Sequence, residues 1–272
     1  MVAQDGSARQ SPASYLPLYL VTDTVLCSPR SVPDLVALAV EGGVTCVQVR
    51  DKRAGGRDLL DLLVAVAAAV DGRVPVLVDD RVDVYLAALA GGARVHGVHV
   101  GQSDLPADLV RTMVGPDAVV GLSAATPGQF GAAADLPAGT VDYLGVGAVH
   151  ATTTKPDHPA PLGVDGFAGL MTSAPLPCVA IGGITADDVA PLRRAGAAGI
   201  AVVSALCTAV DPSASARDLL RAWKDGRSCP PLRDRSDGRG LPAVIRARCR
   251  RDVARDGRPL AAHRPPLPTM EG

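Results

Sequence analysis

Aromatic side chains are scarce in this 272-residue chain: two Phe, four Tyr and one Trp, 3% of the total. Ala, Val, Leu and Gly dominate instead. That composition suits helices and parallel strands buried on both faces better than an antiparallel sandwich with one wetted face. An excess of charge of one sign is also lacking. The formal net charge is -1, so no global field argues for nucleic acid or a membrane surface as the main partner. The cysteines (Cys27, Cys46, Cys178, Cys207, Cys229 and Cys249) form no C-x-x-C pair and read as thiols in a reducing compartment rather than metal ligands. Met1 to Ser14 has no apolar core of a secretory signal. The longest apolar run, Leu62 to Val70, falls short of the ~20 residues that span a bilayer. These absences together predict a soluble, cytoplasmic protein.

What is present is 47% hydrophobic sequence organised as a repeating alternation. Short Val-rich runs fall at Leu18 to Val21, Val44 to Val49, Val74 to Val78, Gly97 to Val100, Ala118 to Leu122, Val141 to Val146, Cys178 to Ile181 and Gly199 to Val203. Such runs mark strands buried on both faces. Helix-like stretches lie between or after them at Asp34 to Val40, Asp58 to Val70, Val82 to Leu89, Ala107 to Val114, Gly128 to Ala134, Ala186 to Ala195 and Ala214 to Trp223. Thr185, with Asp187 and Asp188 behind it, and Ser213 read as helix N-caps. Repeated strand–helix units imply right-handed crossovers and a parallel sheet. Their number, with no G-x-G-x-x-G after the first run, favours a closed (β/α)8 TIM barrel of class α/β over an open doubly wound sheet. The length suits one such barrel, which takes about 250 residues. The predicted organisation is a flexible N-terminus over 1–15, a single barrel domain over 16–224, and an Arg/Pro-rich tail over 225–272 that lacks the periodicity to offset its ordering entropy.

In a barrel of this type the active site is built at the carboxyl ends of the strands, so the residues after each run carry the functional reading. Gln48, Arg50 and Lys52 alternate after the second run and point one way; two cations and an amide donor suit a polyanion such as a diphosphate. Lysine is rare, with only Lys52, Lys155 and Lys224 in the chain, and the first two follow predicted strands. Asp79 and Asp80 follow the third run and Asp104 the fourth. Asp80 and Asp104 can cap helices; paired beside a diphosphate they make a Mg²⁺ site, because that ion takes one or two carboxylates, waters and phosphate oxygens. Later runs end in Ser123, in Thr152-Thr153-Thr154-Lys155, in Gly182-Gly183 and in Val203-Ser204. The glycines admit close backbone approach ahead of a helix, and the last two strands of this fold commonly hold phosphate. His99, inside an apolar run, reads as a satisfied barrel histidine. His150, His158 and His263 show no metal spacing, and no G-x-S-x-G nucleophile motif is present.

The order of these segments resembles the thiamine phosphate synthase family over Leu16 to Trp223. The matching stretches are LYLVTD (Leu18 to Asp23), GVTCVQVRDK (Gly43 to Lys52), DDRVDV (Asp79 to Val84), GVHVGQSDLP (Gly97 to Pro106), TTTK (Thr152 to Lys155), AIGGIT (Ala180 to Thr185) and AVVSAL (Ala201 to Leu206). The resemblance implies a transferase that joins a hydroxymethylpyrimidine diphosphate to a thiazole phosphate. Diphosphate leaves first, and thiamine phosphate and diphosphate are the products. It implies that Gln48, Arg50, Lys52, Asp79, Ser123 and Lys155 contact the pyrimidine diphosphate, and that Asp80 and Asp104 bind Mg²⁺. Thr152, Thr153, Thr154, Gly182, Gly183, Val203 and Ser204 would hold the thiazole phosphate, with Arg50, Ser123 and Lys155 carrying the catalysis. The implied partners are these small molecules, with no nucleic acid and no membrane; self-association into a homo-oligomer stays open.

The chain departs from the family pattern in four places. Asp79 stands where Asn is usual, His150 where Phe is common and Ala148 where Pro is. The stretch between Asp80 and Asp104 is about one helical turn longer, an insertion expected on the outside of the barrel. A related thiazole tautomerase uses a histidine after the fifth strand, where this chain has Ser123-Ala124-Ala125. A non-catalytic phosphate-binding barrel acting through a basic tail is the alternative of a different class.

Overall fold

The computed structural model describes residues 11–152 and 160–226. The Val-rich runs form strands β1 (Leu18–Val21), β2 (Cys46–Val49), β3 (Val76–Asp79), β4 (Gly97–Val100), β5 (Val119–Ser123), β6 (Tyr143–Val146), β7 (Cys178–Ile181) and β8 (Gly199–Val202). They pair in parallel and in chain order, and β8 closes onto β1 with Leu18 opposite Ile200. The chain is therefore a (β/α)8 barrel, as its alternation predicts. The helices are α1 (Pro12–Tyr15), α2 (Thr24–Cys27), α3 (Val32–Glu41), α4 (Gly56–Val70), α5 (Val82–Ala90), α6 (Ala107–Val114), α7 (Pro127–Ala134), α8 (Gly163–Met171), α9 (Ala186–Ala195), α10 (Ser204–Cys207) and α11 (Pro212–Asp225).

Side-chain alternation divides each strand between two cores. Leu18, Leu20, Val47, Val49, Val76 and Val78 point outward into a large cluster with the helices. Tyr19, Val21, Cys46, Leu77, Val119, Tyr143, Val179 and Ala201 form a separate cluster inside the barrel, closed at its amino end by Tyr15 and Leu16. The helices earn their places by period: Leu59, Leu63, Val66, Ala67 and Val70 make the buried stripe of α4. The expected runs from Val44, Val74 and Val141 begin two residues ahead of the ladder; Val44 and Val141 are buried on the approach without joining it.

Four details correct the expectations. Residues 12–15 belong to the folded unit, because Pro12–Tyr15 form a helical turn that buries Tyr15. Ser213 is not a cap: α11 starts at Pro212 and Asp211 caps it, accepting from Ala214 N at 2.9 Å. Helix α8 has no counterpart among the predicted stretches. Gly163, Gly166 and Gly169 each lower helix propensity by about 1 kcal/mol and mask its buried Phe167, Leu170 and Met171. The cap reading of Asp80 and Asp104 does not hold either, since neither α5 nor α6 has a side-chain cap bond. Thr185 does cap α9, in a reciprocal box with Asp188.

Candidate active site

Closing a parallel barrel puts every strand's carboxyl end on one rim, so Arg50, Asp79, Asp80, Asp104, Ser123, Gly182, Gly183, Val203 and Ser204 all follow or end strands on the same side. At the end of β2, local hydrogen bonds shape the loop. Thr22, fully buried, accepts from Arg50 N at 3.0 Å. The carboxylate of Asp51 accepts from Thr24 Oγ1 at 2.7 Å and from the amides of Arg53 and Ala54 at 2.9 and 3.2 Å. Burial alone would push the Asp51 carboxyl up, but these donors hold it below the ordinary range. With Asp51 folded back into its own loop, Arg50 and Lys52 face the rim.

Both cations meet the acidic pair after β3. Asp79 Oδ2 lies 3.4 Å from Arg50 Nε and 3.1 Å from Lys52 Nζ, and the Lys52 ammonium also contacts Asp80 Oδ2. Successive residues of a regular strand point to opposite faces, so adjacent carboxylates do not normally share a partner. Here Asp80 takes a left-handed conformation, φ 59°, which turns its side chain back toward that of Asp79. Asp tolerates that region better than most residues, and His99 O secures the bend by accepting from Asp80 N at 2.8 Å. After β4, Asp104 Oδ2 accepts from Gly101 N at 2.7 Å and braces its own loop.

Inside the barrel a chain of polar contacts links candidate residues on different strands. Gln48, 5% exposed, donates from Nε2 to Tyr19 Oη at 3.0 Å. Tyr19 Oη is 2.9 Å from Tyr143 Oη, which is 3.0 Å from His99 Nδ1. His99 Nε2 in turn lies 3.0 Å from Ser123 Oγ. Burial raises the pKa of both tyrosines well above the ordinary value, so each keeps its proton. Sheet register sets up the contact: His99 pairs with Gly121, and Gly121 with Tyr143. Because Gly121 has no side chain, imidazole and phenol meet across it; a Cβ there would overlap both rings. Gly145 leaves the other side of the imidazole clear, where a Cβ would come within 2.9 Å of Cε1. His99 is thus hydrogen-bonded, as its apolar setting requires.

At the ends of β6 and β7 the backbones run close together. Val149 N and His150 N donate to Ile181 O and Gly182 O, both at 2.9 Å. Gly182 and Gly183 have φ 99° and 64°, and a Cβ on either would press on Ala148 or His150. The unusual His150 reaches Asp188 Oδ1 with Nε2 at 2.9 Å, binding the β6 loop to the first turn of α9. Burial works against the charge of Asp188, but Thr185 N, the His150 ring and the Thr185 hydroxyl together keep its pKa below the ordinary range. Ser204 opens α10 directly after Val203. Thr152 is described; Thr153, Thr154, Lys155 and His158 lie outside the described residues. The residues that sequence reasoning passed over are Thr22, Asp51, Tyr19 and Tyr143. Tyr19 and Thr22 lie in the LYLVTD motif and Asp51 in GVTCVQVRDK, whereas Tyr143 lies in no matching stretch.

Asp80 and Asp104 can be tested as a magnesium site. Their donors are hard carboxylate oxygens, and Asp80 already holds one positive charge, the Lys52 ammonium. Among the described residues no three His, Cys, Asp or Glu side chains converge well enough to hold a metal by themselves. Both facts fit Mg²⁺, which takes one or two carboxylates and completes its shell with water and phosphate oxygens. A surface groove of about 330 Å³ between α4 and α5 is lined by none of the rim residues.

A closed eight-stranded parallel barrel with its charged and glycine-rich segments on the carboxyl rim has the architecture of the (β/α)8-barrel enzymes. Comparison with known proteins narrows this class. Residues 18–206 match the family model described as thiamine monophosphate synthase. The chain is 40% identical over 208 residues to thiamine-phosphate synthase of Psychrobacter sp. (strain PRwf-1), covering 76% of this chain and 95% of that one. It is 46% identical over 209 residues to the Xanthobacter autotrophicus (strain ATCC BAA-1158 / Py2) enzyme of the same name, at 76% and 95% coverage. Among solved structures, thiamine phosphate pyrophosphorylase from Pyrococcus furiosus superposes with a TM-score of 0.68 at 29% identity, covering 79% of this chain and 98% of that one. The chain belongs to the thiamine monophosphate synthase family and is a transferase of thiamine biosynthesis. Among the described residues no helix is long and apolar enough to cross a membrane.

Proposed function

We propose that the protein condenses 4-amino-2-methyl-5-(diphosphooxymethyl)pyrimidine with 4-methyl-5-(2-phosphoethyl)thiazole, releasing thiamine phosphate and diphosphate. The observation that carries this reading is the cluster in which Arg50 and Lys52 converge on Asp79 and Asp80 at one rim. Such a cluster of both signs suits a metal-bound diphosphate: the cations take phosphate oxygens, and Asp80 takes the ion. Asp80, together with the Asp104 oxygen not used by Gly101, would hold Mg²⁺, which would neutralise charge on the departing diphosphate.

The remaining chemistry falls to the chain. The carbon–oxygen bond to diphosphate breaks first, and the thiazole nitrogen then forms the new carbon–nitrogen bond. No strong general base is required. Arg50 and Lys52, with Lys155, bind the leaving group, and Gln48, Asp79 and Ser123 orient the pyrimidine diphosphate. Thr152 to Thr154, Gly182, Gly183, Val203 and Ser204 hold the thiazole phosphate, the glycines letting backbone N–H groups close on it. The protein's contribution is alignment, charge compensation and exclusion of water.

The test is incubation of the pure protein with both substrates, with Mg²⁺ or with a chelator, and detection of thiamine phosphate after oxidation to a fluorescent product. Turnover with Mg²⁺ that the chelator abolishes is expected; no product in either arm refutes the substrates, and full turnover with chelator refutes the metal. Losing one preorganised donor to a developing charge costs on the order of 3 kcal/mol. Lys155→Ala is therefore expected to lower turnover about a hundredfold or more with stability little changed. Wild-type rates in that variant remove Lys155 from the mechanism.

A further inference from the structure

We infer that His99 is a positioning residue, fixed by Tyr143 as the neutral Nε2–H tautomer, and that it makes the Ser123 hydroxyl a hydrogen-bond donor toward substrate. Counting protons along the contacts fixes the direction of each bond. The Gln48 amide nitrogen can only donate, so Tyr19 Oη accepts from it and has one proton left to give. The neighbouring Cys46 thiol, kept protonated by burial, is a weak acceptor. The proton of Tyr19 therefore goes to Tyr143 Oη at 2.9 Å, and that of Tyr143 to His99 Nδ1 at 3.0 Å. Nδ1 is then the acceptor nitrogen of the ring, and the ring proton sits on Nε2, which donates to Ser123 Oγ at 3.0 Å. With a lone pair of Ser123 so engaged, its own hydrogen is left for a partner at the rim.

The run of donors thus begins on β2 and ends on β5, joining Gln48 and Ser123 through groups that never leave the barrel interior. Reversing it would require the Gln48 amide to turn its oxygen, rather than Nε2, toward Tyr19. Glycines at 121 and 145 make the device sterically feasible, since each clears one flank of the imidazole. The inference rests on the reading of Ser123 as a substrate contact, and adds what orients that contact.

The experiment is a double-mutant cycle on kcat and KM with both substrates, using Tyr143→Phe, Ser123→Ala and the pair, with thermal midpoints recorded alongside. Tyr143→Phe removes only the hydroxyl that fixes the tautomer. It should lower kcat about tenfold in the wild-type background, the size of one hydrogen bond, and less than about twofold once Ser123 is Ala. Its effect on the thermal midpoint should be the same in both. An equal fold-loss of kcat in the two backgrounds overturns the inference, because a purely structural role is indifferent to Ser123. If Ser123→Ala alone leaves kcat unchanged, the substrate-contact reading fails instead, and the inference falls with it. Should Tyr143→Phe not fold, His99→Gln against His99→Leu decides. Gln retains an N–H for Ser123 and should preserve kcat about tenfold better than Leu; equal loss in the two overturns the inference.

Discussion

Gly121→Ala adds a single methyl group at a position whose backbone accepts any residue, and it should be one of the more damaging small changes in the barrel. Gly121 lies between His99 on β4 and Tyr143 on β6 in the same rung of the sheet. An ideal Cβ there falls well under 3.0 Å from His99 Nδ1 and from Tyr143 Cζ and Oη. Tyr143 has no easy retreat, since it is 1% exposed and its hydroxyl already meets Tyr19 Oη at 2.9 Å. Overpacking of a filled core costs about 1–3 kcal/mol. Separating His99 from Tyr143 removes a hydrogen bond worth about 1 kcal/mol net. A loss near 3 kcal/mol lowers the melting temperature of a domain this size by roughly 6–12 °C. Thermal unfolding followed by circular dichroism reads it directly. Gly131→Ala on α7 is the control: nothing lies within 4 Å of the added methyl, so the same chemical change should stabilise by about 0.5–1 kcal/mol through helix propensity. A Gly121→Ala protein that melts within about 2 °C of wild type would refute the packing argument.

Two other outcomes follow from local geometry. At Asp80, Asn tolerates the left-handed backbone and Ala does not, so denaturant titration should find Asp80→Ala about 1 kcal/mol less stable than Asp80→Asn, while the proposed role of Asp80 as a magnesium ligand predicts that both lose turnover. His96 accepts from Val76 N at 3.1 Å. Burial, aided by the Arg94 charge, depresses its folded-state pKa. The unfolded chain then takes up a proton that the folded chain refuses, so stability is intact above the unfolded value of about 6.5 and declines as pH falls from there toward the folded pKa. His96→Asn keeps an acceptor without titrating. Its melting temperature should fall less steeply than wild type between about pH 7 and 5.5; parallel slopes would remove His96 as the cause.

How much of this could be read from the chain depends on distance along it. Strands such as Val76–Asp79 and amphipathic helices such as α4 are written in runs of a few residues, and the rim order follows once the fold is known. Helix α8 was not legible because Gly163, Gly166 and Gly169 occupy a third of it and dilute both propensity and pattern. Gln48, Arg50 and Lys52 could be put on one side by alternation, and Asp79 and Asp80 on the same rim by their place at the end of the third run, but alternation alone would have sent Asp79 and Asp80 to opposite faces. The left-handed turn at Asp80 that reunites them leaves no mark in composition. The Tyr19–Tyr143–His99 contacts join residues up to 124 apart, and they exist only because of a register that no local motif specifies. Asp51 looked like one more charge in QVRDK; its work as a loop brace appears only when Thr24 is beside it.

The closure of β8 on β1 also bears on how the protein is made. Leu18 waits for Ile200, a partner that leaves the ribosome about 180 residues later, or roughly 10–40 s at ordinary rates of synthesis. Throughout that interval the nascent chain carries an open strand edge that no later segment has yet covered, the condition in which unfinished sheets aggregate or pair with one another. Translation stalled before Gly199 would leave a seam that cannot be stitched, however well the preceding seven units have formed.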